Sequence, residues 1–274
     1  MQSLQILFIG IAALLAGVAI GLIAAPAPDT DDEAARVLLE LQSEITASLH
    51  TLDTRLAAAA YDLGATGLDT DPAREILLET STIHPSVIDS TTVGPDGIIR
   101  AAEPPAYHDV EGTDVSDQLA TQHILATHRP IMSRILPVAE GIDASFISAP
   151  VFTREGIADE PPGMFIGFTS VVFRPDLLIG EAALPVVAGT PYTICVVDTD
   201  GRVIYDTDPD QIGLPLDDPI YTAYPELVAF VTRVTEERQG KGSYTFRGET
   251  KESIWTTVSL YGTEWRVAVN RIAD

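Results

Sequence analysis

Cysteine is almost missing from this sequence. Cys195 is the only one among 274 residues, so no intramolecular disulfide can form. It lies in the apolar run 192–197, where a buried and inert thiol is expected rather than a nucleophile. Lysine is nearly as scarce, present only as Lys241 and Lys251. Lys and Arg together number 16 against 40 Asp and Glu, a net charge of −24. Nucleic-acid binding needs Lys and Arg to neutralise phosphates, so that class of partner is excluded. The acidic surface is read as a solubility adaptation rather than a site for a particular cationic partner. Catalytic spacings are lacking as well: there is no HExxH, CxxC, GxSxG or P-loop pattern. His50, His84, His108, His123 and His128 form no motif, and His123 and His128 are five apart, off a common helical face. No enzyme activity and no cofactor are expected.

What the chain does have is one long apolar run. Residues 4–25 carry no charge. As a helix they would span about 30 Å, the hydrocarbon thickness of a bilayer. An uncleaved membrane anchor over 1–28 is expected over a cleaved signal. The run exceeds a usual signal core, no Lys or Arg precedes it, and cleavage after Ala25 or Ala27 would leave Pro26 or Pro28 next. The first cation is Arg36, so charge says almost nothing about orientation. Gly17 and Gly21 have the spacing that brings two membrane helices together into a homodimer, although so Gly/Ala-rich a segment yields that spacing by chance.

A long helix over 29–66 comes next. Thr30 and Glu33 have capping-box spacing, and Asp31 and Asp32 favour the positive end of the helix dipole. Ala34, Leu38, Leu41, Ile45, Leu52, Leu56, Ala59 and Leu63 form one apolar face, with Gly64 as the stop. That face is expected to pack on the chain's own domains rather than on a partner helix.

Beyond residue 67 two stretches look alike. TTVGPDGIIRAAEP (91–104) and CVVDTDGRVIYDTDP (195–209) each centre on Asp-Gly, a hairpin signal because Gly accepts positive φ. Each is followed by a second glycine, Gly112 or Gly213, and by a helical stretch, about 115–127 or 219–238. Strands are expected at 145–153 and 163–173, then at 242–247, 253–260 and 264–272, with a connecting helix within 174–189. The fold class is α+β: a transmembrane helix and a long helix, then two tandem antiparallel-sheet subdomains, 67–178 and 179–274. Trp255 and Trp265 read as packing residues of the last strands.

The order and spacing of GTDVSDQLATQHIL (112–125), SRILPV (133–138), SFISAPVFTREG (145–156), GMFIGFTSVVF (163–173) and VVDTDGRVIYDTDPDQIG (196–213) resemble the double Cache family. These are tandem PAS-like extracytoplasmic sensors of prokaryotic chemoreceptors and histidine kinases. The resemblance implies a ligand pocket in a membrane-distal first half, a membrane-proximal second half that passes the signal on, and residues 29–274 outside the cytoplasm. Amino-acid-binding members carry an Arg-x-Trp-Tyr cluster after the GTDVS-like turn. Here Gln118, Leu119, Ala120, Thr121 and Gln122 stand there, which disfavours an α-amino-acid ligand. The family's receptors continue into an output module, whereas this sequence ends at Asp274, so a partner signalling protein is expected. The competing reading is a cell-surface structural or interaction protein without a small ligand.

Strand alternation and the resemblance together nominate the ligand site. Phe146 and Ser148 share one face of their strand, and Phe168 and Ser170 share a face of the next. Ser133 and Arg134 come after the helix, and Tyr107, Gln118 and Thr121 complete the set. Arg134 would clamp a carboxylate, or else form a surface ion pair; the set suits a small polar or anionic organic ligand. Asp206, Asp208 and Asp210 have the 1-3-5 spacing of a calcium loop. Gln211 replaces its glycine, however, so a solvated turn is expected in place of a metal site.

Overall fold

The computed structural model describes residues 30–154 and 161–273. The apolar run 4–25 lies outside them. Among the described residues no helix is long and apolar enough to cross a membrane.

Helix α1 (Thr30–Thr66) is 37 residues long, or about 55 Å. Every member of its expected apolar stripe is buried, from Ala34 through Leu63, and Val37 and Leu49 join them. Each buried Leu or Ile contributes roughly 1.5–3 kcal/mol. The stripe packs on the chain's own sheets, against two adjacent strands of each. Gly64 is not the stop. It lies within the helix, where a Cβ would stand 2.3 Å from the Phe152 carbonyl oxygen. The helix ends instead at Gly67, which has φ +88° and donates its N–H to the Leu63 oxygen. Helix α2 (Asp71–Ser81), capped by the Thr70 hydroxyl, packs between α1 and the first sheet.

The first sheet contains β1 (Val87–Val93), β2 (Ile99–Glu103), β3 (Ile131–Met132), β5 (Asp143–Phe152) and β6 (Phe165–Phe173), in the order β2-β1-β6-β5-β3. The short β4 (Leu136–Pro137) pairs with β5 off that path, and α3 (Leu119–Thr127) precedes β3. Helix α4 (Pro175–Val187) leads to the second sheet, built from β7 (Thr193–Asp198), β8 (Val203–Asp206), β9 (Gly240–Phe246), β10 (Glu249–Leu260) and β11 (Thr263–Ile272). Its order is β8-β7-β11-β10-β9, with α5 (Pro219–Thr222) and α6 (Pro225–Glu236) between β8 and β9.

The two sheets are wired alike, each strand order reading second, first, fifth, fourth, third. The turn bonds match too. Gly97 donates to the Gly94 oxygen as Gly201 donates to that of Asp198. Gly112 and Gly213 each return to the outgoing strand, to the oxygens of Ile99 and Val203. The molecule is therefore an α+β protein of two tandem antiparallel sheets.

Alternation gives each sheet two different faces. Ile147, Ala149, Val151, Val171 and Phe173 of the first, and Val258, Leu260, Trp265, Val267 and Val269 of the second, join α1 in one core. The opposite faces look away from α1 and carry their own clusters, the second sheet's around Trp255 and Phe230.

Two candidate binding cavities

On the free face of the first sheet the register assembles a polar surface. Asp89 lies opposite Val172, Thr91 opposite Ser170, and Ser170 opposite Ser148. All of these polar residues are at most 5% exposed. The Ser148 and Ser170 hydroxyls are 2.7 Å apart. A cavity of about 30 Å³ remains beneath α3 and the segment after β4, space for about one water.

Of the nine nominated residues, Gln118, Thr121, Phe146, Phe168 and Ser170 line this cavity. Ser148 adjoins it through Ser170. Tyr107 packs on the Val93–Ile99–Phe168 cluster without reaching the cavity. Ser133 is structural: its hydroxyl accepts from the Phe146 N–H at 2.9 Å. Arg134 is the clear correction. Its side chain is 55% exposed and turned to the second sheet, where it pairs with Asp200 and donates to Thr199 Oγ1 at 2.6 Å. It forms the surface ion pair that competed with the clamp.

The charged groups at the cavity are acids that sequence reasoning missed. Glu140 lines it, with Asp89 beside it. Both Asp89 carboxylate oxygens and Glu140 Oε2 are buried without a donor. Burial, then the charge of Glu140, pushes the Asp89 carboxyl up from 3.8 to about 9. At neutral pH Asp89 is therefore held protonated. The only signal in the sequence was an acid inside the β-branched run VIDSTTV (87–93).

The free face of the second sheet differs. A cavity of about 360 Å³ opens between it, α6 and β9, within the size range of small-molecule pockets. Tyr221, Phe230, Tyr244 and Phe246 supply aromatic walls. Thr193, Cys195, Asp206, Lys251 and Asn270 supply a polar end. Burial raises the Asp206 carboxyl to about 6, and burial raises the Cys195 thiol well above its ordinary range. The inert thiol expected from sequence thus lines a cavity wall. Asp206, Asp208 and Asp210 do not converge on an ion. Asp206 faces the cavity, while Asp208 accepts the Asp210 N–H and pairs with Arg247 at 3.3 Å. Among the described residues, no three His, Cys, Asp or Glu are grouped to hold a metal.

Residues 47–175 match the family described as HK/GC/Chemotaxis protein-like, sensor domain. No curated protein matches the sequence. Among solved structures, an extracellular ligand binding receptor from Desulfohalobium retbaense is 29% identical over 87% of this chain, with a TM-score of 0.74. The chain spans 40% of that receptor's length. The ligand-binding domain of the Pseudomonas fluorescens chemoreceptor CtaA, in complex with L-alanine, aligns at TM-score 0.63 and 13% identity, covering 90% of this chain and 98% of its own. That of the Campylobacter jejuni chemoreceptor Tlp3, in complex with 4-methylisoleucine, gives 0.62 and 14%, covering 89% and 90%. These relatives are ligand-binding sensor domains rather than enzymes. The family match over residues 47–175, the duplicated sheets and these likenesses agree: the chain is similar to the ligand-binding sensor domains of chemoreceptors and histidine kinases, and its fold is consistent with the double Cache type.

Proposed function

We propose that this protein is a membrane-anchored extracytoplasmic sensor module whose first half binds a small amine-bearing molecule and which works with a signalling partner at the membrane. The single observation that carries the ligand class is the Asp89–Glu140 pair. Ionising the buried Asp89 beside Glu140 is costly, and a fixed cation between them would remove that cost. An anionic ligand does not suit this cavity, because Arg134 points elsewhere and the nearest charges are negative. Thr121, Ser148 and Ser170 would hydrogen-bond the ligand's polar groups, and Phe146 and Phe168 would pack on its carbon skeleton. The cavity must widen as the ligand enters, so α3 and the strap 133–142 move outward. That displacement is the natural carrier of a signal. The apolar run 4–25 supplies the anchor, and the first half, 67–178, is the membrane-distal one.

Thermal-shift measurements on the full chain with small amines and matched acids test this reading. Amines should raise the melting temperature, because they bind only the folded state. The Asp89→Asn variant should lose that response. A panel in which no amine stabilises the wild type would reject the reading in favour of a cell-surface interaction protein.

A further inference from the structure

The large cavity belongs to the half that the resemblance assigns to relaying rather than binding. Its polar end is built by register. Thr193 lies opposite Asn270, Cys195 opposite Asp206, and Lys251 opposite Tyr244. Residues directly opposite share a face, so these side chains project together from one face of the sheet.

Asn270 is 4% exposed, lines the cavity, and its side-chain amide has no hydrogen-bond partner among the described residues. The Lys251 ammonium also lines the cavity and makes no hydrogen bond or close ion pair among the described residues. An amide and an ammonium that face the cavity without a protein acceptor are available to a ligand there. The opposite wall is aromatic and aliphatic. At the mouth, Arg247 is already paired with Asp208.

We propose that the second half holds its own ligand site, which takes a small organic carboxylate with an apolar body. The carboxylate accepts from Lys251 and Asn270, and the body lies between Tyr221, Phe230 and Phe246. Asp206 stands near Lys251 and selects against a second negative group on the ligand. Lysine is rare in this chain of net charge −24, yet one of its two occurrences stands at this cavity. This site is independent of the amine site on the first sheet.

Three probes with one body and different heads test the assignment: phenylacetate, phenylacetamide and phenethylamine. Each is titrated calorimetrically into the full chain in mild detergent. Phenylacetate should bind saturably with a dissociation constant at or below about 1 mM. The amide should bind at least about 5-fold more weakly, and the amine should not compete. Lys251→Met keeps the apolar stem and removes the charge, so it should weaken phenylacetate about 10-fold. Ala268→Phe, which fills the cavity, should abolish binding; if that variant does not fold, Lys251→Met alone decides. Asp89→Asn should leave phenylacetate affinity unchanged.

The proposal is overturned by absence of phenylacetate binding, by equal or tighter binding of the amide or amine, or by unchanged affinity in Lys251→Met. Loss of phenylacetate binding in Asp89→Asn would place that ligand on the first sheet and overturn it as well. Failure of the amine reading leaves each of these outcomes intact, because the two sites share no residue.

Discussion

The two halves have one strand order and one pattern of turn bonds, yet one free face is nearly closed and the other is open. The difference lies in the connection that leaves the helix. In the first half residues 128–142 run from α3 to β5, pairing as β3 and β4 and laying Val138, Ala139 and Glu140 across the sheet. In the second half α6 passes to β9 through 237–239 alone, and among the described residues no such strand-paired strap lies between that helix and the sheet's next strand. The same duplicated scaffold thus gives a strapped, acid-lined cavity of about 30 Å³ and an unstrapped, aromatic one of about 360 Å³. A binding site in a repeated fold is decided by the connection over the sheet more than by the sheet itself.

The largest expected effect asks whether the halves are separate at all. Phe173 and Trp265 occupy their sheets' α1-facing sides and are at most 2% exposed. Truncating either to Ala should cost about 3–5 kcal/mol. Because α1 packs on both sheets, Phe173→Ala and Trp265→Ala should each lower a single calorimetric transition. Two transitions, with only one displaced by each variant, would show that α1 does not weld the halves together.

The next effect separates the two cavities by pH. A carboxyl raised in the folded state keeps a proton that the unfolded chain releases. Its stabilisation is full below about pH 4 and is lost as pH rises through the folded pKa. Asp206 has lost this contribution by about pH 6, whereas Asp89 continues to lose it toward about 9. The ligand-free protein should therefore lose stability between about pH 7 and 9 through Asp89 of the first half rather than Asp206 of the second. Asp89→Asn should flatten that limb and raise the melting temperature at pH 8 by roughly 5 °C. An unchanged slope in that variant would place the titration elsewhere.

Much of this was legible in the sequence, and the rest was not, for a physical reason. The α1 stripe is a 3.6-residue period and the pairing of Phe146 with Ser148 a two-residue period; both depend only on local geometry. The Asp-Gly turns likewise announce themselves. Asp89 and Glu140 carry no such signal, because they are far apart in the chain and meet only once the strap crosses the sheet. The Arg134–Asp200 pair joins two halves in the same non-local way. Gly64 has the look of a helix stop, yet its role is to admit a backbone, at Phe152, that approaches from a distant strand.

The twin turns offer a finer comparison. Gly97 and Gly201 have φ of +80° and +84°, so a side chain at either is strained. A Cβ at Gly97 would stand 2.6 Å from Ser116 Cβ, whereas at Gly201 it would stand 3.0 Å from Leu216 Cβ. Alanine should cost about 1 kcal/mol at Gly201 and about 2 kcal/mol at Gly97. Equal costs in chemical denaturation would mean that the strain is backbone alone, and that the tighter contact in the first half relaxes freely.

The smallest effect concerns the seam between the halves. Arg134 is the one nominated residue whose side chain reaches from the first half to the second, through Asp200 and Thr199. Exposed pairs of this kind are screened by water and salt and stabilise by about 0–1 kcal/mol. Arg134→Ala should therefore lower the melting temperature by no more than roughly 3 °C, and less at high salt. It should leave the affinity of any amine for the first half unchanged, since the guanidinium does not reach that cavity. If the variant weakened ligand binding while stability held, the two halves would be coupled through this pair, and the closed and open cavities would be states of one switch rather than two separate sites.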